Sequence, residues 1–426
     1  MATSPERNIE STVLSNGLRV VTESMNHVRS VSVGVWIDSG SRLEIGPENG
    51  ISHFIEHMVF KGTQTRSAED IARSIDSLGG NLDAFTGKEL VSFNTKILDE
   101  HLPIAFEVLA DMVLRPAFRD EDIHKEKGVI LEELKMESDN PEYLVHETFS
   151  QNFWKDHPLG KPILGTRETI KAFDRPMVDS FYRNVYTPSN ILITAAGSLT
   201  HQNMVDLVAR EFDSLPAGPG KPDHVPPEPQ SRLILRDKRA LEQVHLMMGV
   251  PAYAVAHERR FSAYVLNTLL GGSMSSRLFQ NIREQRGLVY AVFSEISSYR
   301  DSGALAVYAG TSRGAVRQVI QLILAEFRKL KEELIPPEEL ERGKNHLKGS
   351  VMLGLESTAS RMTNLARQQL YFHRFATMDE ILAAIEAVTA ESIQQVACEF
   401  FRPETIALTV LGPLNGMKIR REDLIC

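Results

Sequence analysis

An internal repeat constrains this fold more than any other feature of the chain. Residues 51–62 have a counterpart at 261–272, and residues 186–197 have one at 401–412, so the two pairs are 210 and 215 residues apart. In the second pair, a proline follows an aromatic residue by two positions, and a glycine follows that proline by nine. Two matched pairs in the same order indicate an internal duplication. The sequence therefore predicts two copies of one folding unit.

A proline-rich stretch separates the two copies. Residues 216–231 read PAGPGKPDHVPPEPQS, with six prolines in sixteen residues. Proline at this density neither continues a helix nor pairs inside a sheet. We therefore predict an N-terminal domain over 1–215, an extended linker over 216–231 and a C-terminal domain over 232–426.

Hydrophobic periodicity gives the fold class. Strand-like runs occur at 18–22, 31–37, 82–98 and 191–196, and helical spacing occurs at 51–60, 68–78, 102–113 and 120–137. Strands and helices are thus mixed along each copy. The predicted fold is α+β, with two homologous α/β sandwich domains related by duplication.

Composition narrows the function classes. The 47 basic and 56 acidic side chains give a net charge of −9, which is a weak argument against nucleic acid as a partner. No apolar stretch reaches the roughly 18 residues of a membrane span, and the N-terminus has no signal-peptide pattern. The two cysteines, Cys398 and Cys426, form neither a disulfide framework nor a thiolate metal site. We therefore expect a cytoplasmic protein without membrane or nucleic-acid partners.

The first copy carries three polar residues that the scaffold does not require. They are His53, Glu56 and His57, in the order H-x-x-E-H. Their counterparts in the second copy are Ala263, Leu266 and Asn267. Because a helix that only packs tolerates alanine and leucine at these positions, the polar trio is an addition to the fold.

The spacing of the trio suits a metal site. Histidines at i and i+4 project from one helix face and can hold one ion. A catalytic zinc takes three protein ligands, so two histidines leave one ligand to be found. A glutamate beside the metal suits a general base that takes a proton from water, which is the role expected of Glu56. The alternative is a chance arrangement on an amphipathic helix.

Residues 50–63, GISHFIEHMVFKGT, closely resemble the inverzincin zinc peptidases of the pitrilysin and mitochondrial processing peptidase type. In that family the third zinc ligand is a glutamate about 75 residues after the second histidine. The resemblance implies that His53, His57 and Glu133 bind Zn²⁺, because Glu133 is 76 residues after His57. Glu132 is the competing candidate. Glu126, seven residues before Glu133, would be an outer partner that orients the ligands, although all three glutamates could instead form a solvated acidic face.

The resemblance also implies substrate-binding residues. Residues 79–86, GGNLDAFT, resemble the strand with which the family pairs extended substrates, and this gives Asp83 and Ala84 that role. The family often has asparagine where Asp83 stands. Arg283 and Tyr290 match an arginine and tyrosine seven residues apart, which could donate hydrogen bonds to a substrate carbonyl or oxyanion. Without the resemblance, they are a surface arginine and a core-edge tyrosine.

These observations predict a zinc metalloendopeptidase resembling bacterial relatives of the processing peptidase β subunit. Its substrate would be a peptide or an unfolded, presequence-like segment, bound as an added strand. Pitrilysin-type members fuse two such chains, so we expect a homodimer with active sites shared between chains. A non-catalytic structural subunit is the main alternative, and a zinc hydrolase of non-peptide substrates is another.

Overall fold

The computed structural model describes residues 7–218 and 225–426. Across these residues the chain forms strands that belong to two sheets. In chain order the strands are β1 (Asn8–Val13), β2 (Arg19–Ser24), β3 (Ser30–Ile37), β4 (Asn81–Thr86), β5 (Val91–Leu98), β6 (Ile191–Gly197), β7 (Leu233–Asp237), β8 (Val244–Ala252), β9 (Val289–Ser298), β10 (Gly303–Thr311) and β11 (Ala407–Gly412).

Helices cover both sheets. In chain order they are α1 (Ile51–Val59), α2 (Ala68–Asp76), α3 (Leu102–Leu114), α4 (Asp120–Ser138), α5 (Pro141–Phe153), α6 (Arg167–Ala172), α7 (Arg175–Val185), α8 (His201–Phe212), α9 (Arg260–Leu270), α10 (Val316–Glu332), α11 (Pro337–Gly354), α12 (Thr358–Phe372), α13 (Met378–Glu386) and α14 (Ala390–Phe400). The mixture of helices and strands confirms the predicted α+β class.

The two sheets repeat one strand order. The first has the order β1-β2-β6-β3-β5-β4, and the second has the order β7-β11-β8-β10-β9. In each sheet one pair is parallel, β2 with β6 and β7 with β11, while the remaining pairs are antiparallel. β2, β6, β3, β5 and β4 thus correspond to β7, β11, β8, β10 and β9. The duplication predicted from the sequence is confirmed, and each copy ends at an edge strand, β4 or β9.

Each sheet lies between two helical layers. One face of the first sheet packs on α1, α3, α7 and α8 around a core of valine, isoleucine and phenylalanine side chains. The equivalent face of the second sheet packs on α9, α10 and α14. These are the larger of the buried clusters, and they hold α1 and α9 in equivalent places.

The opposite face of each sheet is covered by a helix from the other half of the sequence. Met362 and Leu365 of α12 pack on Trp36 of the first sheet. Phe149 of α5 packs on Met247 of the second sheet. In the second unit the sheet makes room for α5 at a glycine, since a Cβ at Gly249 would lie 2.4 Å from the Phe149 ring.

Because each half of the sequence gives one helix (α5 or α12) to the sheet of the other half, the two compact units are each made of several sequence segments. Over the described residues, one contains 7–136, 161–218 and 353–377, and the other contains 137–160, 225–352 and 378–426. The domain boundaries at 215 and 232 were inferred from the duplicated segments of the sequence. They stay a prediction. Part of the predicted linker, residues 219–224, lies outside the described residues, and residues 216–218 and 225–231 form no helix or strand.

A helix that crosses a membrane must be both long and apolar. Over the described ranges, no single helix meets both requirements. α13 and α14 meet them together, but the pair is bent by 83°.

Candidate metal centre

The site is built on α1, and the local sequence explains how this helix is set. Gly50 precedes it with φ of 95°, a left-handed conformation that side chains disfavour. A Cβ at Gly50 would also lie 2.7 Å from the Gly165 backbone. Apolar residues at i, i+3 and i+4, among them Ile51, Phe54 and Ile55, are fully buried in the core. The remaining face of α1 therefore carries His53, Glu56 and His57.

α4 brings a carboxylate to both histidines. His53 Nε2 lies 3.8 Å from Glu133 Oε1, and His57 Nε2 lies 3.6 Å from Glu133 Oε2. One donor atom from each residue can be chosen so that all lie within 4.8 Å of one another. Among the described residues this trio is the one group of histidine, cysteine and carboxylate side chains that meets that criterion.

The trio fits a zinc ion. Tetrahedral zinc with ligand bonds of about 2.0–2.1 Å separates its donors by about 3.4 Å, and each histidine Nε2 lies within a few tenths of an ångström of that distance from one of the two Glu133 oxygens. Two imidazoles and one carboxylate are also the donor set of a catalytic zinc that keeps one position open. Burial and the neighbouring His57 lower the pKa of His53 to about 4, so its ring is neutral, as a metal ligand must be.

Glu126 orients the second histidine. Its Oε1 lies 2.8 Å from His57 Nδ1, and its Oε2 lies 2.7 Å from Lys61 Nζ. A carboxylate at Nδ1 selects the tautomer that carries the proton there, which leaves the Nε2 lone pair facing Glu133. Burial alone would raise the pKa of Glu126, but the bonds from His57 and Lys61 outweigh it and lower the pKa.

Glu56 lies beside the trio and is held by the edge strand. The Thr86 hydroxyl, at the end of β4, donates a short hydrogen bond to Glu56 Oε2. Burial raises the pKa of Glu56, while the Thr86 bond partly offsets that effect. A carboxylate with one oxygen fixed and a raised pKa is suited to taking up and returning a proton.

The two neighbouring glutamates of α4 have different surroundings. Glu133 faces the histidines, and its side chain is 32% exposed. Glu132 is 76% exposed and lies 3.4 Å from Lys135. Adjacent helical residues point about 100° apart, so one of them faces α1 while the other faces solvent.

Asp83 and Ala84 lie on β4, at the edge of the first sheet. Asp83 is exposed and Ala84 is half-buried, facing the side of the core. Strand β4 pairs with β5 along one side, with Ala84 opposite Phe93. β4 is the last strand in the order of this sheet, so over the described residues its other side pairs with no strand of the sheet. A peptide that binds as an added strand needs such an edge.

Arg283 and Tyr290 belong to the other compact unit. Arg283 lies in a π-helical turn, Phe279–Glu284, with its guanidinium 4.6 Å from the Phe279 ring centroid. Tyr290 is on β9 and is 80% exposed. An aromatic side chain this exposed contributes little to the core, so the expectation of a core-edge tyrosine does not describe it.

Sequence reasoning missed three residues around the site: Glu44, Lys61 and Thr86. Glu44 binds the start of α1, Lys61 pairs with Glu126, and Thr86 bonds Glu56. No sequence motif marks these three residues, because none belongs to the H-x-x-E-H pattern. Each reaches the site only through a contact that the fold creates. The strand of Thr86 was identified, but its contact with α1 was not.

Comparison with known proteins gives matches along most of the chain. The family model described as Insulinase (Peptidase family M16) matches residues 19–167. The model described as Peptidase M16 inactive domain matches residues 172–347. The first match contains the candidate metal centre. The second contains α9, which corresponds to α1 but lacks the two histidines and the glutamate.

Similar proteins match over more than nine-tenths of their lengths. An uncharacterized zinc protease of Bacillus subtilis, YmxG, is 42% identical over 402 residues, covering 94% of this chain and 98% of that protein. An uncharacterized zinc protease of Streptomyces coelicolor is 38% identical, covering 97% of this chain and 91% of that protein.

Two solved structures share the fold. One is a protease from Helicobacter pylori, with a TM-score of 0.89 at 22% identity over 95% of this chain and 100% of that one. The other is a peptidase M16 inactive domain from Pseudomonas fluorescens, with a TM-score of 0.90 at 19% identity over 97% and 100%.

Proposed function

This chain belongs to peptidase family M16, and we propose that it is a zinc-dependent endopeptidase acting on peptides and unfolded segments. The observation that carries the proposal is the meeting of two imidazoles and a carboxylate beside a second, held carboxylate, Glu56. Relatives named zinc proteases support the metal and the class of reaction.

His53, His57 and Glu133 would hold the metal. Zinc, when bound, would supply an activated water molecule and polarise the scissile carbonyl. The protein contributes the fixed geometry: α1 presents both imidazoles from one face, and the Glu126 bond keeps His57 Nε2 directed at the ligand position.

Glu56 would act as the general base. Thr86 holds its Oε2, so Oε1 is the oxygen left to accept a proton from water. The raised pKa of Glu56 favours that uptake and lets the same carboxyl group return the proton to the leaving amine. One residue would then serve both proton transfers of peptide hydrolysis.

The substrate would bind as a strand added to β4. Its backbone would pair with the outer edge beside Asp83 and Ala84, which needs an extended segment and little side-chain specificity. Because Thr86 ends the same strand, a peptide paired there would run toward the base. This binding mode suits flexible peptides, which can adopt the extended conformation that strand pairing needs.

Arg283 and Tyr290 would assist by donating hydrogen bonds to the carbonyl oxygen. We propose that they come from the second chain of a homodimer, as in the fused two-chain members that the sequence resembles. Tyr290 is available for such a contact, because 80% of its surface is exposed.

The test combines metal analysis with peptide cleavage. Purified protein should contain about one zinc per chain, and should cleave fluorogenic peptides in a way that a chelator abolishes and zinc restores. Mass spectrometry of a mixed peptide library after incubation would then give the bonds cut. Zinc binding without cleavage of any peptide would favour the structural-subunit alternative, whereas cleavage that survives complete metal removal would contradict the mechanism.

A further inference from the structure

Glu44 is a buried carboxylate that binds the start of the helix carrying the trio. Its Oε2 accepts from the Gly50 backbone amide at 2.8 Å and from Asn49 Nδ2 at 3.2 Å, and its Oε1 accepts from the Ser52 amide at 2.9 Å. The side chain is 1% exposed. Both oxygens are therefore committed to fixing the first turn of α1.

The two proposed histidine ligands differ in how they are held. The His57 ring is oriented by Glu126 at Nδ1. The His53 Nδ1 atom is buried and has no hydrogen-bond partner in the described part of the chain. The His53 ring contacts the His57 ring edge-on, with the ring centroids 4.6 Å apart, but no carboxylate among the described residues orients it at Nδ1 as Glu126 orients His57. Its direction therefore depends more strongly on the backbone, and the amide of the preceding residue, Ser52, donates to Glu44.

The second copy shows that the fold does not demand this carboxylate. α9 begins at Arg260, and the amide of the residue before it, Arg259, donates to His257 Nδ1 at 3.1 Å, so the side chain that accepts there is an imidazole and not a carboxylate. Ala254 stands 210 residues after Glu44, the separation of the matched segments. α9 packs in the equivalent core without such a group, so the carboxylate accompanies the trio rather than the scaffold.

We propose that Glu44 is a positioning residue for His53 and thereby strengthens zinc binding. The inference rests on the metal site proposed above. The first amides of a helix lack partners within the helix and carry partial positive charge, so a carboxylate there satisfies and fixes them. Fixing the first turn sets the backbone of His53, and the separation of its Nε2 from His57 and Glu133 follows.

The experiment measures zinc affinity by competition with a chromogenic chelator, on protein first freed of metal. Glu44→Gln keeps the shape of the side chain but turns an NH₂ group toward one of the amides. We expect zinc affinity to fall about 10–100-fold, as when an outer partner of a ligand is lost. Turnover should return at saturating zinc, since Glu56 is untouched.

The matched control is Asp174→Asn. Asp174 caps α7 in the same compact unit, accepting from the Met177 amide at 2.9 Å, and α7 carries none of the proposed ligands. This variant makes the same change at a helix start and should leave zinc affinity at the wild-type value. Glu44→Asp is the second variant; its charge remains but its reach is shorter, so an intermediate affinity is expected.

The outcomes separate the two proposals. A wild type that takes up no zinc overturns the proposed function and this inference together. A wild type that binds zinc, with Glu44→Gln binding equally tightly or losing no more affinity than Asp174→Asn, overturns the inference alone. If Glu44→Gln does not fold, wild-type affinity in Glu44→Asp overturns it in the same way.

Discussion

α1 and α9 occupy equivalent places in two copies of one fold, yet they carry different residues at the three positions of the trio. α1 carries His53, Glu56 and His57, whereas Ala263 and Leu266 of α9 are buried apolar residues in its own core. Both helices pack well, so the polar trio is not what makes the scaffold fold. A site can therefore be added to one copy of a duplicated unit, while the other copy shows which residues the fold itself requires.

The comparison extends beyond the trio. Around α1, carboxylates at Glu44, Glu126 and Glu133 contact the helix or its histidines. Each acts on a different part of the site: Glu44 on the first turn, Glu126 on one ring and Glu133 on the ligand position. A site of this kind therefore needs several acidic residues from distant parts of the sequence in addition to the motif.

The largest expected effect comes from removing the base. Glu56→Gln keeps the size of the side chain but cannot accept a proton. We expect kcat to fall by about 100- to 10,000-fold, the usual contribution of general base catalysis, with about one zinc per chain retained. Peptide cleavage and zinc content are measured on the same preparation. Loss of cleavage with unchanged zinc content would show that Glu56 acts as the base and is not a metal ligand, whereas near-normal turnover would show that the proposed mechanism is wrong.

The next effect distinguishes the neighbouring glutamates of α4. Glu133→Gln should weaken zinc binding by more than the roughly 10–100-fold typical of outer partners, because it removes a direct ligand. Glu132→Gln should leave affinity unchanged, since its side chain is exposed beside Lys135. Chelator competition on both variants gives the answer, and the reverse pattern would move the ligand by one residue.

Much of this site was predictable from the sequence because its motif is local. The spacing of His53, Glu56 and His57 needs only a helix, and α1 was predicted within one residue of its observed end. The strands β2, β3 and β6 were predicted because short buried strands have a strong apolar signature. Local periodicity is sufficient for such elements.

The parts of the fold and of the site that were not predicted depend on contacts between segments distant in the sequence. The exchange of α5 and α12 was not predicted, because an amphipathic helix does not specify which sheet it covers. Glu133 was chosen over Glu132 by family resemblance, since helical spacing alone does not tell which residue faces α1. Glu44 was missed for the same reason: its role exists only once the chain brings it to the start of the helix.

A smaller effect tests whether the second copy serves the site of another chain. Arg283→Ala with Tyr290→Phe should lower kcat about 100- to 1,000-fold if these residues stabilise the oxyanion. Mixing such chains with Glu56→Gln chains would give dimers with one intact site. Random mixing of equal amounts should restore about a quarter of wild-type activity, because half the dimers are mixed and one of their two sites works. A proven heterodimer as inactive as both parents would exclude sharing.

The smallest expected effect concerns Thr86, which ends β4, and its equivalent in the second copy, Ser298, which ends β9. The two hydroxyls have different partners: Thr86 bonds the Glu56 carboxylate, while Ser298 bonds the Tyr253 carbonyl at 3.1 Å. Thr86→Val removes only the hydroxyl, and about a tenfold loss of kcat is expected, near the net worth of one hydrogen bond to a charged group. Thr86→Ser should restore activity, and Ser298→Ala is the matched control that should leave it unchanged.

The pH profile shows whether Thr86 acts through the base. Burial raises the pKa of Glu56 and the Thr86 bond opposes that rise, so losing the bond raises the pKa further. A general base works only when deprotonated, so activity falls as pH drops through its pKa, and the acidic limb of the kcat/KM profile should move to higher pH in Thr86→Val. A lower rate with an unmoved limb would mean that Thr86 supports the strand and not the carboxylate. The same limb should stay in place for Ser298→Ala, because its hydroxyl contacts a backbone carbonyl in the copy that has no base.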